Sequence, residues 1–186
     1  MLQETSARMT YDDLLLLPDD GLRHELIDGV HYVTASPVTR HQRILRKLAV
    51  EIELWLRDHP IGEMFFAPLD VVLTRYDVVV PDLIYVSAER SEGIEEKGLF
   101  AAPDLAVEIL SPSTRRRDET LKRRLYERVG VSEYWLIDPG SDLVSLSRRD
   151  GERLVHAEAL TSLNDDTLRS SLFPGFALRL RGLFER

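Results

Sequence analysis

Two short apolar stretches, Asp104-Leu-Ala-Val-Glu-Ile-Leu110 and Glu133-Tyr-Trp-Leu-Ile-Asp138, flank a charged segment with helical periodicity. Each has the length of a strand and is nearly all apolar, as strands covered on both faces are. Ser111-Pro-Ser-Thr114 supplies helix caps after the first, and the helix stops at Gly130, which suits the left-handed position past a helix end. Strand, helix and strand in this order make a βαβ-like unit. The expected fold class is therefore α/β in the mixed α+β sense: a central mixed β-sheet flanked by helices.

The rest of the chain fits around that unit. Tyr11 to Leu17 reads as a short helix ended by Pro18, and His24 to Val33 as a β-hairpin turning at Asp28-Gly29. From about Thr39 to Asp58, Ile44, Leu45, Leu48, Ile52, Trp55 and Leu56 recur on one helical face. Met64 to Leu73 is expected to be one strand, and Val78 to Val86 another, with a bulge or irregular start at Pro81. Ser87 to Ala102 reads as a charged connection, and Leu143 to Ser147 as a hairpin partner of the strand before it. We expect one domain over residues 1–186, with its core in about 10–150 and peripheral strands in about 151–186.

Composition removes whole classes of function. Apolar residues make up 44% of the chain, too many for intrinsic disorder. The absence of cysteine excludes disulfides, thiolate metal sites, iron–sulfur clusters and cysteine nucleophiles. Met1 to Thr10 has no apolar leader core, and no stretch approaches the roughly 20 apolar residues of a membrane helix, so a cytoplasmic location is expected. The net charge of −8 argues against coating nucleic acid through the overall field, while leaving room for a local basic patch. The five histidines lack HExxH-like spacing, and GxGxxG, P-loop and GxSxG motifs are absent.

Two carboxylates interrupt strands that otherwise read as buried. Asp82 lies between Pro81 and Leu83, and Glu108 lies between Val107 and Ile109. Burying a carboxylate without company costs several kcal/mol, so each needs a cation, a metal or hydrogen-bond donors. Alternation puts Glu108 on the face of Ala106 and Leu110, away from Leu105, Val107 and Ile109. If the Asp82 strand lies alongside, the two carboxylates form an oxygen-rich site suited to Mg²⁺. The alternative is that both sit near strand ends and accept backbone or arginine hydrogen bonds.

The helix after Glu108 concentrates Arg115, Arg116, Arg117, Lys122, Arg123 and Arg124 in an acidic protein. On an ideal helical wheel Leu121, Leu125 and Val129 form its buried stripe, with Lys122 beside them and able to aim at Glu108. The other basic residues are either a solvated face or phosphate contacts.

His24-Glu-Leu-Ile-Asp-Gly29, Arg40-His-Gln42, Val80-Pro-Asp-Leu83, Asp104 to Thr114, Lys122 to Tyr126 and Gly130 to Trp135 together resemble, in order, the Uma family within the PD-(D/E)xK nuclease superfamily. The resemblance spans about residues 10 to 180. It implies a restriction-endonuclease-like fold, with an N-terminal helix and β-hairpin, whose sheet presents acidic residues to Mg²⁺, or Mn²⁺ in its place. Pro81-Asp82 resembles the PD element and Glu108 the second acidic position. Leu110 stands where the motif lysine would fall, and Lys122 on the next helix takes that role in the resemblance; Glu25 is a further acidic member.

The implied activity is endonucleolytic, Mg²⁺-dependent phosphodiester hydrolysis of DNA. Asp82 and Glu108 hold the metal, Lys122 acts at the phosphate, and Arg115, Arg116, Arg117 and Arg123 contact the backbone. A homodimer is expected from the symmetry of cutting two strands. Two other readings stand beside it: a catalytically inactive nuclease-fold module binding nucleic acid or protein, motivated by Leu110, and a glycosidase using Glu25 and Glu108.

Overall fold

The computed structural model describes residues 8–185, so Met1 to Ala7 of the segment read for a leader lie outside the described residues. In chain order the elements are α1 (Tyr11–Leu14), β1 (Arg23–Ile27), β2 (Val30–Thr34), α2 (Thr39–Asp58), β3 (Gly62–Phe66), β4 (Val71–Thr74), β5 (Asp77–Val79) and β6 (Leu83–Ser87). There follow β7 (Ile94–Glu95), β8 (Gly98–Leu99), β9 (Leu105–Ile109), a π-helical segment (Arg117–Lys122) running into α3 (Arg123–Val129), β10 (Glu133–Asp138), β11 (Leu143–Asp150) and β12 (Arg153–Thr161). The chain closes with β13 (Thr167–Leu168), β14 (Leu178–Arg179) and α4 (Leu180–Phe184).

Two six-stranded sheets organise the molecule, in the orders β2-β1-β5-β4-β8-β7 and β12-β11-β10-β9-β6-β3. The second is the expected mixed sheet. β9 and β10 run parallel, joined by the helical crossover, while β6 and β11 pair antiparallel on either side. Leu105, Val107 and Ile109 face one hydrophobic cluster with α2, and Ala106 faces another with Leu125 and Tyr126 of α3. A strand buried on both faces explains why the sequence there is continuously apolar.

Several elements follow local chemistry closely. The β1–β2 hairpin turns through Asp28 and Gly29, at φ 53° and 76°, the left-handed pair that a two-residue turn needs. α2 spans the predicted residues and buries Ile44, Leu45, Leu48 and Ile52 at helical spacing. Full burial of Leu48 and Ile52 contributes about 2 kcal/mol each. α3 ends at Gly130 with φ 92°, in the left-handed cap.

Four expectations are corrected. Val78 to Val86 is not one strand: β5 belongs to the first sheet and β6 to the second, and Val80-Pro81-Asp82 carries the chain between them. Met64 to Leu73 divides in the same way into β3 and β4. The basic helix is not uniform; its π segment widens the turn, and Lys122 rather than Leu121 becomes the fully buried residue. Residues 151–186, expected at the periphery, supply Phe173, Phe176, Leu180 and Leu183 to the main core.

Candidate active site

The C-terminal ends of β9 and β10, the Val80–Asp82 crossing, the start of α2 and the π segment surround a cavity of ≈ 530 Å³. Leu83 pairs with Val107 across antiparallel β6 and β9, which sets Asp82 and Glu108 side by side at the end of that ladder. The Ile109 amide donates to Asp82 Oδ2 at 2.8 Å. The juxtaposition expected from sequence is thus built by strand register.

Asp82 and Glu108 are met by different cations. Arg23 on β1 donates to Asp82 Oδ1 at 3.0 Å, and His41 Nε2 on α2 donates to Asp82 Oδ2 at 3.0 Å. Lys122 Nζ donates to Glu108 Oε1 at 2.8 Å, and the Tyr126 hydroxyl donates to the same oxygen at 2.9 Å. Oε2 of Glu108 takes neither bond, in a residue that lines the cavity. Glu25 on β1 accepts from Lys122 at 2.6 Å, from Arg117 at 3.0 Å and from the Val80 amide at 2.9 Å. Asp118 completes the group, its Oδ1 3.8 Å from Lys122 Nζ and without a hydrogen bond.

Four acids therefore share three permanent cations, and the balance sets their proton affinities. Burial pushes the Glu108 carboxyl well above its ordinary range; Lys122 opposes this, and Asp118, Asp82 and Glu25 reinforce it. Burial also disfavours the Asp82 charge, yet the His41 and Ile109 hydrogen bonds and Arg23 hold that carboxyl below the usual range. Glu25 is likewise held down, with Lys122 and Arg117 outweighing its burial. Burial works against the Lys122 charge, but Glu108, Glu25 and Asp118 raise its proton affinity above that of an ordinary lysine. Asp82 and Glu108, adjacent in space, are thus poised differently. Perturbation of this kind in a cleft makes the cluster a candidate functional site.

The structure brings together Asp82, Glu108, Lys122 and Glu25. It divides the four arginines expected at nucleic acid. Arg115 and Arg117 line the cavity, the first paired with Asp138 at 2.9 Å and the second drawn inward to Glu25 and the Thr34 hydroxyl. Arg116 is exposed and does not line the cavity, and Arg123 turns to the Leu154 carbonyl on β12. Sequence reasoning missed Arg23, His41, Asp118 and Tyr126. The signal for His41 was its helical spacing from Ile44, Leu45 and Leu48, which put it on the buried side of α2; Asp118 stands four residues before Lys122 on one helical face.

Among the described residues no three metal-ligating side chains converge into a complete protein shell. Asp82 and Glu108 still suit Mg²⁺, a hard cation that takes one or two carboxylates and keeps several waters. Their donors are all oxygen, and Oε2 of Glu108 is uncommitted to either neighbour.

The Uma2 family, described as "Putative restriction endonuclease", matches residues 11–181. The chain belongs to the Uma2 family. Among solved structures it is similar to a "putative nuclease belonging to DUF820" from Anabaena variabilis ATCC 29413, with a TM-score of 0.79 and 24% identity over 95% of this chain and 97% of that one. That likeness establishes the restriction-endonuclease-like fold for this Uma2 chain. The type IIG restriction endonuclease BpuSI matches 66% of this chain and 13% of its own, at 15% identity and a TM-score of 0.35. No curated protein matches. No helix among the described residues is long and apolar enough to cross a membrane.

Proposed function

We propose that this Uma2 protein hydrolyses phosphodiester bonds of DNA with Mg²⁺, as an endonuclease, at the cavity between Asp82, Glu108 and Lys122. The observation that carries the reading is the adjacency of Asp82 and Glu108 with the Lys122 ammonium 2.8 Å from Glu108. Family membership supports nuclease chemistry in general. Asp82 and Glu108 would hold Mg²⁺, which when bound polarises a phosphate and lowers the pKa of a water.

The chain's own groups would do the rest. Lys122, kept charged by three carboxylates, supplies a buried positive charge to developing charge on phosphoryl oxygens. Glu25, 2.6 Å from Lys122 Nζ, helps hold that ammonium in place. His41 and Arg23 fix the Asp82 carboxylate through both oxygens, so its orientation is set before substrate enters. Arg115 at the cavity wall is placed to take a neighbouring phosphate, with no information about base sequence. A homodimer and a cytoplasmic location belong to the same proposal.

The test is calorimetric Mg²⁺ and Mn²⁺ binding together with DNA cleavage, comparing wild type with Asp82→Ala and Glu108→Ala. We expect both variants to lose metal-dependent cleavage while keeping the wild-type circular dichroism spectrum. Full cleavage by both variants removes these residues from the reaction. Salt-dependent DNA binding with no cleavage under any divalent metal favours a non-catalytic binding module.

A further inference from the structure

α2 buries one side in the core and leaves Val50 and Leu54, 49% and 45% exposed, on the other. Beside it runs β3, the last strand of its sheet, with Phe66 57% exposed. These three residues and Met64 line an apolar groove of ≈ 670 Å³ that shares no residue with the carboxylate cavity. Exposed apolar residues grouped along one groove, rather than scattered singly, suit an association surface. An edge strand with neither proline nor lysine is a second open feature on the same side.

The charges along the groove indicate what covers it. Arg43 and Arg46 stand toward the start of α2, and Glu53 stands two helical turns beyond Arg46 on the same face, with Val50 between them. A second α2 laid parallel sets arginine against arginine. Laid antiparallel, it sets Arg46 against Glu53 of the partner subunit, and two-fold symmetry repeats the contact. The apolar residues then meet at the centre.

We infer that the α2–β3 groove is a homodimer face, on which antiparallel α2 helices pair about a two-fold axis near Val50 through apolar contact and reciprocal Arg46–Glu53 ion pairs. His41, in the first turn of α2, marks the carboxylate cavity in each copy. At 1.5 Å per residue the two cavities lie roughly 25 Å apart along the paired helices, at opposite ends. The dimer separates them rather than merging them into one site. The inference assigns a face to the homodimer of the nuclease reading, and its test reads association alone, so loss of the dimer and loss of cleavage are told apart.

The test is sedimentation equilibrium of the full chain through the micromolar range. Wild type is expected to show a monomer–dimer equilibrium. Arg46→Glu and Glu53→Arg should each weaken it about tenfold or more, because two symmetry-related contacts reverse at once. The Arg46→Glu, Glu53→Arg double variant should recover the dimer, since the pair is then restored with its signs exchanged. Both residues are exposed, so circular dichroism should be unchanged throughout. A wild-type monomer at every concentration overturns the inference, and so does a dimer unmoved by the single reversals or not recovered in the double variant.

Discussion

Lys122 Nζ lies 2.8 Å from Glu108 Oε1, although 14 positions separate the two residues in the chain. The nearer position, Leu110, is apolar and buried at the cavity wall. An ammonium has been delivered to the end of β9 from the following helix, and the π segment that ends at Lys122 turns it inward. The same charge meets Glu25 and Asp118, so one lysine ties β1, β9 and the crossover helix together. That arrangement exposes the fold to loss of a single cation.

Lys122→Met should lower stability by about 3–5 kcal/mol, the cost of leaving a buried charge without its partner. Urea unfolding at neutral pH measures it. Adding Leu110→Lys to this variant returns an ammonium to the same wall and should recover part of the loss. No recovery would mean that a lysine just past β9 cannot reach the carboxylates.

Tyr126→Phe keeps the ring and its packing against Tyr134, with centroids 5.0 Å apart, and removes only the hydroxyl that donates to Glu108. A hydrogen bond inside a buried network contributes about 1 kcal/mol net. The expected effect is a loss of that order in urea unfolding, with an unchanged near-ultraviolet spectrum outside the tyrosine bands. A loss within experimental error would show that Lys122 alone satisfies Glu108.

The opposed shifts at Asp82 and Glu108 give opposite pH signatures. Asp82 is held below its unfolded pKa, so its contribution is present above the ordinary carboxylate range and is lost as pH falls through the folded value. Glu108 is raised above its unfolded pKa, so the folded state holds the extra proton. Its contribution is present below the ordinary carboxylate range and is lost as pH rises through the folded value. Glu108→Gln should therefore flatten the decline in stability above the usual carboxylate pKa, and Asp82→Asn should flatten the decline on the acid side. Unfolding free energies across pH test both, and identical slopes in wild type and Glu108→Gln would contradict the raised affinity.

How much of this was readable depended on whether the determining contact was local. α2 was legible from end to end because a one-sided helix writes its period into the chain, and the β1–β2 turn because Asp28-Gly29 supplies the required backbone angles. The break at Val80-Pro81-Asp82 was read only as a bulge or irregular start, because the strands on either side of it, though they belong to two different sheets, are equally apolar. Asp82 and Glu108 stood out as charges inside apolar runs. His41 did not: a histidine on the buried side of a helix shows no role until a strand from 41 residues onward brings Asp82 against it. Arg117 was expected at the nucleic-acid backbone, and only the position of β1 shows that Glu25 claims it.

The C-terminal segment offers the clearest contrast between sequence expectation and packing. Phe173 is fully buried, with its ring against Tyr85, Trp55, Trp135 and Phe176. Just before it, Ser170 and Ser171 bond to Glu133 on β10, whose carboxylate also accepts from Trp135 Nε1 at 2.9 Å. The segment is thereby fixed to the central sheet by both apolar and polar contacts. Phe173→Ala should lower stability by about 3–5 kcal/mol, the range for emptying a buried phenylalanine site. Leu163→Ala, at a residue 87% exposed in the short 3-10 turn (Ser162–Asn164) before β13, should stay within about 0.5 kcal/mol of wild type. Paired urea titrations decide the matter: a small cost at Phe173 would make residues after β12 an accessory, whereas the expected difference makes them part of the unit that holds α2 and β9 in place.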